Sequence, residues 1–123
     1  MRIIGVGIDI VDVDVFRSRL DGGMIDELFL PGEQEYCSTR ARPWESYAAR
    51  FAAKEAVFKA LGAGLSQGLR WKTVEVVREE SGAVGIELSG AALERAREMG
   101  IELVALSISH TGNSAIAIAT ACG

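Results

Sequence analysis

Arg50-Phe51-Ala52-Ala53-Lys54-Glu55-Ala56-Val57-Phe58-Lys59-Ala60-Leu61-Gly62 reads as the greater part of a long helix that Pro43 opens, running from Trp44 to Leu61 and stopped by Gly62. At about 3.6 residues per turn, Trp44, Tyr47, Phe51 and Phe58 share one face, and Glu55 falls near the centre of that stripe. A carboxylate stranded there without a cation or donors is costly, or it takes up a proton. A metal, a cationic side chain or a polar cavity is therefore expected against that face. Lys59 stands one turn further on, at the i,i+4 spacing where Glu and Lys pair. A plainer reading, a core helix with Glu55 at a stripe edge and tied to Lys59 or Lys54 in an ordinary ion pair, stays open on spacing alone.

On the N-terminal side of this helix, residues 2 to 10 are apolar on both faces and suit a strand buried on two sides, with Gly5 and Gly7 allowing close backbone approach and Asp9 closing the strand. Asp12 to Leu20 reads as a short helix, acidic in its first turn and basic at Arg17 and Arg19 in its last. A second short helix is expected over Met24 to Phe29 and a helical turn over Glu33 to Thr39.

On the C-terminal side, a loop over 63–68 precedes a strand from Trp71 to Arg78, a turn at Ser81-Gly82, and a partner strand with Val84, Ile86 and Leu88 on one face. Ser89 is placed to cap a helix over Ala91 to Met99, with Gly100 as its stop. Strands over Ile101 to His110 and Ala115 to Ala121 flank the turn-forming Thr111-Gly112-Asn113-Ser114. The order is that of an α+β domain. The last strand has Ala115, Ala117, Ala119 and Ala121 on one face and Ile116 and Ile118 on the other. That pattern fits either a subunit interface or a central strand under a helix.

The chain of 123 residues is 49% apolar and 24% charged, enough for one packed core and hence a single domain over 1–123. A formal net charge of −4 argues against a general nucleic-acid binder. Cys37 and Cys122 are isolated, without metal-finger or disulfide spacing, which fits a reducing cytoplasm. The N-terminal apolar run, interrupted by Asp9, is too short for a signal segment, and no run of 18 apolar residues could span a membrane.

Gly5-Val6-Gly7 begins like a dinucleotide fingerprint, but Ile10 stands where the third glycine belongs and no helix starts at the second. Asp9, Asp12 and Asp14 lack the glycine and glutamate of a calcium loop, and Asp12 and Asp14 read as solvated acids at a helix start. Gly62-Ala63-Gly64 follows a helix, so helix termination is the first reading and phosphate cradling the second. Asp9 closes an apolar strand and Glu55 interrupts an apolar stripe; two such carboxylates suffice for magnesium, which completes its octahedron with water and substrate phosphate. His110, the only histidine, is in phase with Val104, Leu106 and Ile108 and by itself reads as a core residue.

Gly7-Ile8-Asp9-Ile10, Arg50-Phe51-Ala52-Ala53-Lys54-Glu55-Ala56 with Lys59, and Ser107-Ile108-Ser109-His110-Thr111 together resemble the three signatures of the holo-acyl-carrier-protein synthase family of 4′-phosphopantetheinyl transferases. Motif order and spacing agree along the whole chain. The resemblance implies an antiparallel sheet with a long helix packed on it. It also implies transfer of 4′-phosphopantetheine from coenzyme A to a serine of apo acyl carrier protein, with adenosine 3′,5′-bisphosphate released. It further implies magnesium held by Asp9 and Glu55, catalysis by Glu55, Lys59 and Asp9, and coenzyme phosphates met by Arg50, Lys59, His110 and Gly64. A homotrimer with active sites between subunits is implied as well. A rival is a non-catalytic trimeric module that keeps the coenzyme A pocket; the intact Asp9, Glu55, Lys59 set speaks against it. Two departures stand out: Val15 where relatives often carry a basic residue facing an acidic carrier, with Arg17 and Arg19 as nearest substitutes, and Val84 in place of a turn proline. Neither is expected to touch the metal or phosphate residues, so both bear on carrier choice.

Overall fold

Alanine is what lets helix α4 (Pro43–Leu61) lie flat on a sheet: Ala52, Ala53, Ala56 and Ala60 form a thin buried surface that brings its backbone close to strand β1 (Ile3–Asp12). In the computed structural model, which describes residues 1–123, a Cβ on Gly7 would stand 1.9 Å from the Ala56 carbonyl oxygen, and one on Gly5 2.1 Å from that of Ala60. Only glycine fits at either position. Pro43 takes a first-turn position of α4, and Gly62 ends the helix with φ 65°, its N–H donating back to Lys59 and Phe58.

β1 is followed by three short helices, α1 (Val13–Arg19), α2 (Gly22–Leu28) and α3 (Pro31–Ser38), and then by α4. Asp12 caps α1 by accepting from Val15 N–H at 2.9 Å, and Asp21 caps α2 by accepting from Met24 N–H at 3.0 Å. Asp12 is therefore a structural cap and not a merely solvated acid. After α4 come two short 3₁₀ turns, Leu65–Gln67 and Trp71–Thr73, then strands β2 (Val74–Arg78) and β3 (Val84–Leu88), helix α5 (Gly90–Met99), and strands β4 (Leu103–His110) and β5 (Ser114–Cys122). Trp71 is thus in a turn and not in the strand, stacked on Phe58 and tilted against Phe51. The Ser89 hydroxyl makes no cap bond to α5.

Two antiparallel sheets result, β1-β5-β4 and the hairpin β2-β3, and the class is α+β. β5 is the central strand. Its alanines 115, 117, 119 and 121 are fully buried, 117 to 121 in the same apolar cluster as the α4 alanines, which answers the question left by the pattern: the small-residue face is covered by a helix of the same chain.

The opposite face corrects a second expectation. β1 is not buried on two sides, because Val6, Ile8 and Ile10 are 53–65% exposed, and Ile116 and Ile118 beside them are about 40% exposed. Asp9 does not close β1 either; pairing with β5 runs on to Asp12 opposite Ser114. Asp9 instead lies in phase with Gly5 and Gly7, on the face turned to α4.

Sequence reading missed a buried ion pair. Lys54 and Glu33 have fully buried side chains with Nζ 2.8 Å from Oε1. Lys54 also donates to the carbonyls of Trp71 and Val74, while Glu33 accepts from the N–H groups of Leu30 and Val76. The pair joins α3, α4 and β2, with every strong donor and acceptor engaged. No helix is long and apolar enough to cross a membrane.

Candidate active site

β1 and α4 carry Asp9 and Glu55 into one cavity of about 540 Å³, whose walls include Phe16, Leu20, Met24, Leu28, Phe51 and Trp71. Glu55 is thus at the margin of the aromatic stripe, partly exposed in the groove, and not sealed in its centre. Burial raises its pKa first, the neighbouring Asp9 charge raises it further, and Lys59 opposes both. Two carboxylates from different elements therefore face one another closely enough to repel.

Lys59 does not pair with Glu55 across the helix turn. Its Nζ lies 3.1 Å from Asp9 Oδ1 and donates to the Ile8 carbonyl at 2.9 Å. Half of the Lys59 side chain remains exposed, so the ammonium is anchored at the mouth of the groove with a donor to spare.

The donor set suits a small divalent cation. Asp9 and Glu55 supply two hard oxygens, the number magnesium commonly takes from protein, and no cluster of three or more His, Cys, Asp or Glu adds further ligands. A cation there would also relieve the repulsion that lifts Glu55.

Arg50 and His110 lie elsewhere. They line a separate cavity of about 380 Å³ with Tyr36, Arg40, Arg42, Glu45 and Arg78. Arg50 is 4% exposed, with its guanidinium 4.1 Å from the centre of the Tyr36 ring, and its Nε has no partner. Arg40 and Arg78 approach the same ring at 4.5 and 4.9 Å. One electron-rich ring thus gathers three guanidiniums whose mutual repulsion an anion would relieve. His110 is half exposed with Nδ1 3.8 Å from Glu45 Oε2, so it is a rim residue and not a core one.

Gly64 joins neither cavity; its N–H donates to Gln67 Oε1 at 2.7 Å inside its own loop. Val84 lines the arginine cavity and Val15 the carboxylate groove, so both departures touch the functional surfaces after all. The residues that sequence reading passed over are Arg40, Arg42 and Arg78. Arg40-Ala41-Arg42, just ahead of Pro43, was the available signal for two of them.

Residues 5–119 match the model of the 4′-phosphopantetheinyl transferase superfamily. The holo-[acyl-carrier-protein] synthase of Desulforudis audaxviator is 46% identical over 124 residues, covering 98% of this chain and 94% of the relative. The crystal structure of the holo-[acyl-carrier-protein] synthase from Neisseria meningitidis is similar with TM-score 0.87 at 27% identity, over 99% of this chain and 100% of that one. That of the Helicobacter pylori synthase in complex with coenzyme A gives TM-score 0.82 at 28% identity, over 95% and 99%. Sequence match and near-complete superposition agree with the frame built above, and this chain belongs to the 4′-phosphopantetheinyl transferase superfamily.

Proposed function

We propose that residues 1–123 act as one transferase domain that moves 4′-phosphopantetheine from coenzyme A to a serine of apo acyl carrier protein. The serine Oγ forms a bond to the β-phosphorus of the coenzyme diphosphate, the bond from that phosphorus to the bridging oxygen breaks, and adenosine 3′,5′-bisphosphate leaves. The serine proton passes to a base. One observation carries the reading: in a chain matched to this superfamily from residue 5 to 119, Asp9 and Glu55 line one groove and Lys59 reaches Asp9 with its ammonium.

Asp9 and Glu55 would hold Mg²⁺, which when bound neutralises charge on the diphosphate. Lys59, anchored on Asp9, offers its ammonium to the same phosphates as charge develops on the leaving group. Glu55, lifted by burial, is suited to receive the serine proton. The aromatic walls of Phe51 and Trp71 exclude water from the arm being moved.

Arg50 and His110, with Arg40, Arg42 and Arg78, hold the coenzyme's remaining phosphate. Since these lie in a different cavity of the chain, the complete site takes one cavity from each of two copies. The uncovered Val6, Ile8, Ile10, Ile116 and Ile118 face supports a homotrimer built on that sheet. Two free cysteines support a reducing, cytoplasmic location.

Incubating the protein with coenzyme A, magnesium and apo carrier and weighing the carrier tests the transfer. A gain of one phosphopantetheine is expected. An unchanged carrier beside bound coenzyme A would favour the non-catalytic module.

A further inference from the structure

The carboxylate groove is open at its α2 end. Trp71 and Glu27 line it and also line a second, shallower depression completed by Leu65, Arg70 and Lys72. The two depressions share a wall and form one continuous surface. Arg70 and Lys72 flank Trp71 in sequence and both are exposed. Arg70 donates only to the carbonyl of its own neighbour Leu69, and neither side chain has an acidic partner.

On α1 the expected basic substitutes divide. Arg17 is drawn over the Trp44 ring at 5.4 Å and lines a different depression, beside Arg42 and Pro43. Only Arg19 lines the groove, and at position 15 the groove has an exposed valine. The surface is therefore polarised: Asp9, Asp12 and Glu55 at one end, where Arg19 is the one cation in the lining, Arg70 and Lys72 at the Trp71 end against the single carboxylate of Glu27, and exposed Val15, Met24 and Leu65 along it.

We propose that Arg70 and Lys72 are the cationic rim on which an acidic face of the carrier protein docks, aiming the carrier's serine at Asp9 and Glu55. This rests on the transfer reading and deepens it. Exposed charges of this kind contribute little as isolated pairs, but they steer an oppositely charged partner and set its orientation. The carboxylate end repels the same acidic face, so only one docking direction is favourable. Apolar contact with Val15, Met24 and Leu65 supplies the salt-independent part of the affinity.

The test is steady-state transfer to apo carrier by the Arg70→Gln/Lys72→Gln double variant at low and at physiological salt. Both residues are exposed, so the fold is retained, as an unchanged melting temperature would show. The KM for carrier is expected to rise about tenfold at low salt and to lose most of its salt dependence, with kcat and the KM for coenzyme A unchanged. Arg97→Glu, which makes the same change in net charge near the C-terminal end of α5, should leave all constants as they were. An unchanged carrier KM and salt slope in the double variant, with wild type active, overturns the rim. Should wild type bind carrier without transferring to it, the transfer reading fails alone; calorimetric titration with carrier then decides the rim, lost binding in the double variant supporting it and retained binding overturning it. Wild type that neither binds nor modifies carrier overturns both.

Discussion

Lys59 Nζ reaches Asp9 Oδ1 at 3.1 Å, from the helix to the strand beneath it, and leaves Glu55 on its own turn without a salt bridge. The helix therefore offers three different things at one end: a cation committed to the strand, a carboxylate lifted by burial, and a backbone so close that the strand must be glycine at positions 5 and 7.

Because Lys59 is held ready at the groove mouth, its loss is expected to fall on turnover. Lys59→Ala should lower kcat by about 10²-fold or more while changing the KM for coenzyme A by only a few fold. Separate determination of the two constants checks this; an equal fall in coenzyme affinity with intact kcat would assign Lys59 to binding alone.

Glu55 makes a pH-dependent penalty. Its folded pKa is raised above the ordinary 4.5, so the folded state binds more protons than the unfolded one in the window above 4.5. Stability then falls as pH rises through that window, and the penalty is complete above the raised value. Glu55→Gln should therefore be at least as stable as wild type at neutral pH without magnesium, with the difference vanishing as pH falls toward 4.5. Added magnesium should stabilise wild type more than the variant. Glu75, raised in the same direction, is common to both proteins and cancels. Urea unfolding across pH, with and without magnesium, reads both effects.

Lys54→Met leaves the Glu33 carboxylate buried and short of its cation. The expected cost is about 3–5 kcal/mol in chemical denaturation. Lys54→Met combined with Glu33→Leu should recover only part of it, since the Leu30 and Val76 N–H groups then lose their acceptor. Full recovery would show that the pair does not organise α3 against β2.

The division of functional residues between two cavities predicts complementation. Asp9→Asn and Arg50→Ala proteins, each inactive, should regain transfer when mixed under conditions that exchange subunits. Ile8→Glu, placed on the uncovered sheet face, should yield monomers by sedimentation and lose transfer with them. Activity in that monomer would put the whole site in one chain.

Much of this was legible in the residues. The limits of α4, set by Pro43 and Gly62, the close approach at Gly5 and Gly7, and the strand pairs of both hairpins follow from local chemistry. The convergence of Asp9 and Glu55 could be anticipated because each is a carboxylate in an apolar pattern. Other features depend on distance across the fold. Lys59 could pair with Glu55 one turn away or with a strand, and only the packed sheet chooses Asp9. Glu33 carries no apolar period to mark it as buried, and Lys54 as a core residue is invisible until β2 supplies carbonyls for it. Likewise β1 reads as apolar on both sides whether a helix or another molecule covers its second face. Arg17 reads from sequence as a basic substitute facing the carrier, on a par with Arg19, and only the packed fold lays it over the Trp44 ring.

Crystals grown with coenzyme A and with manganese in place of magnesium would show whether Asp9 and Glu55 share one cation, since the anomalous signal locates the metal independently of the protein. Manganese is expected on the carboxylates of Asp9 and Glu55 and on the coenzyme diphosphate, with Arg50 and His110 of a neighbouring copy on a remaining phosphate. A cation held away from either carboxylate, or a diphosphate bound outside the Asp9–Glu55 groove, would contradict it.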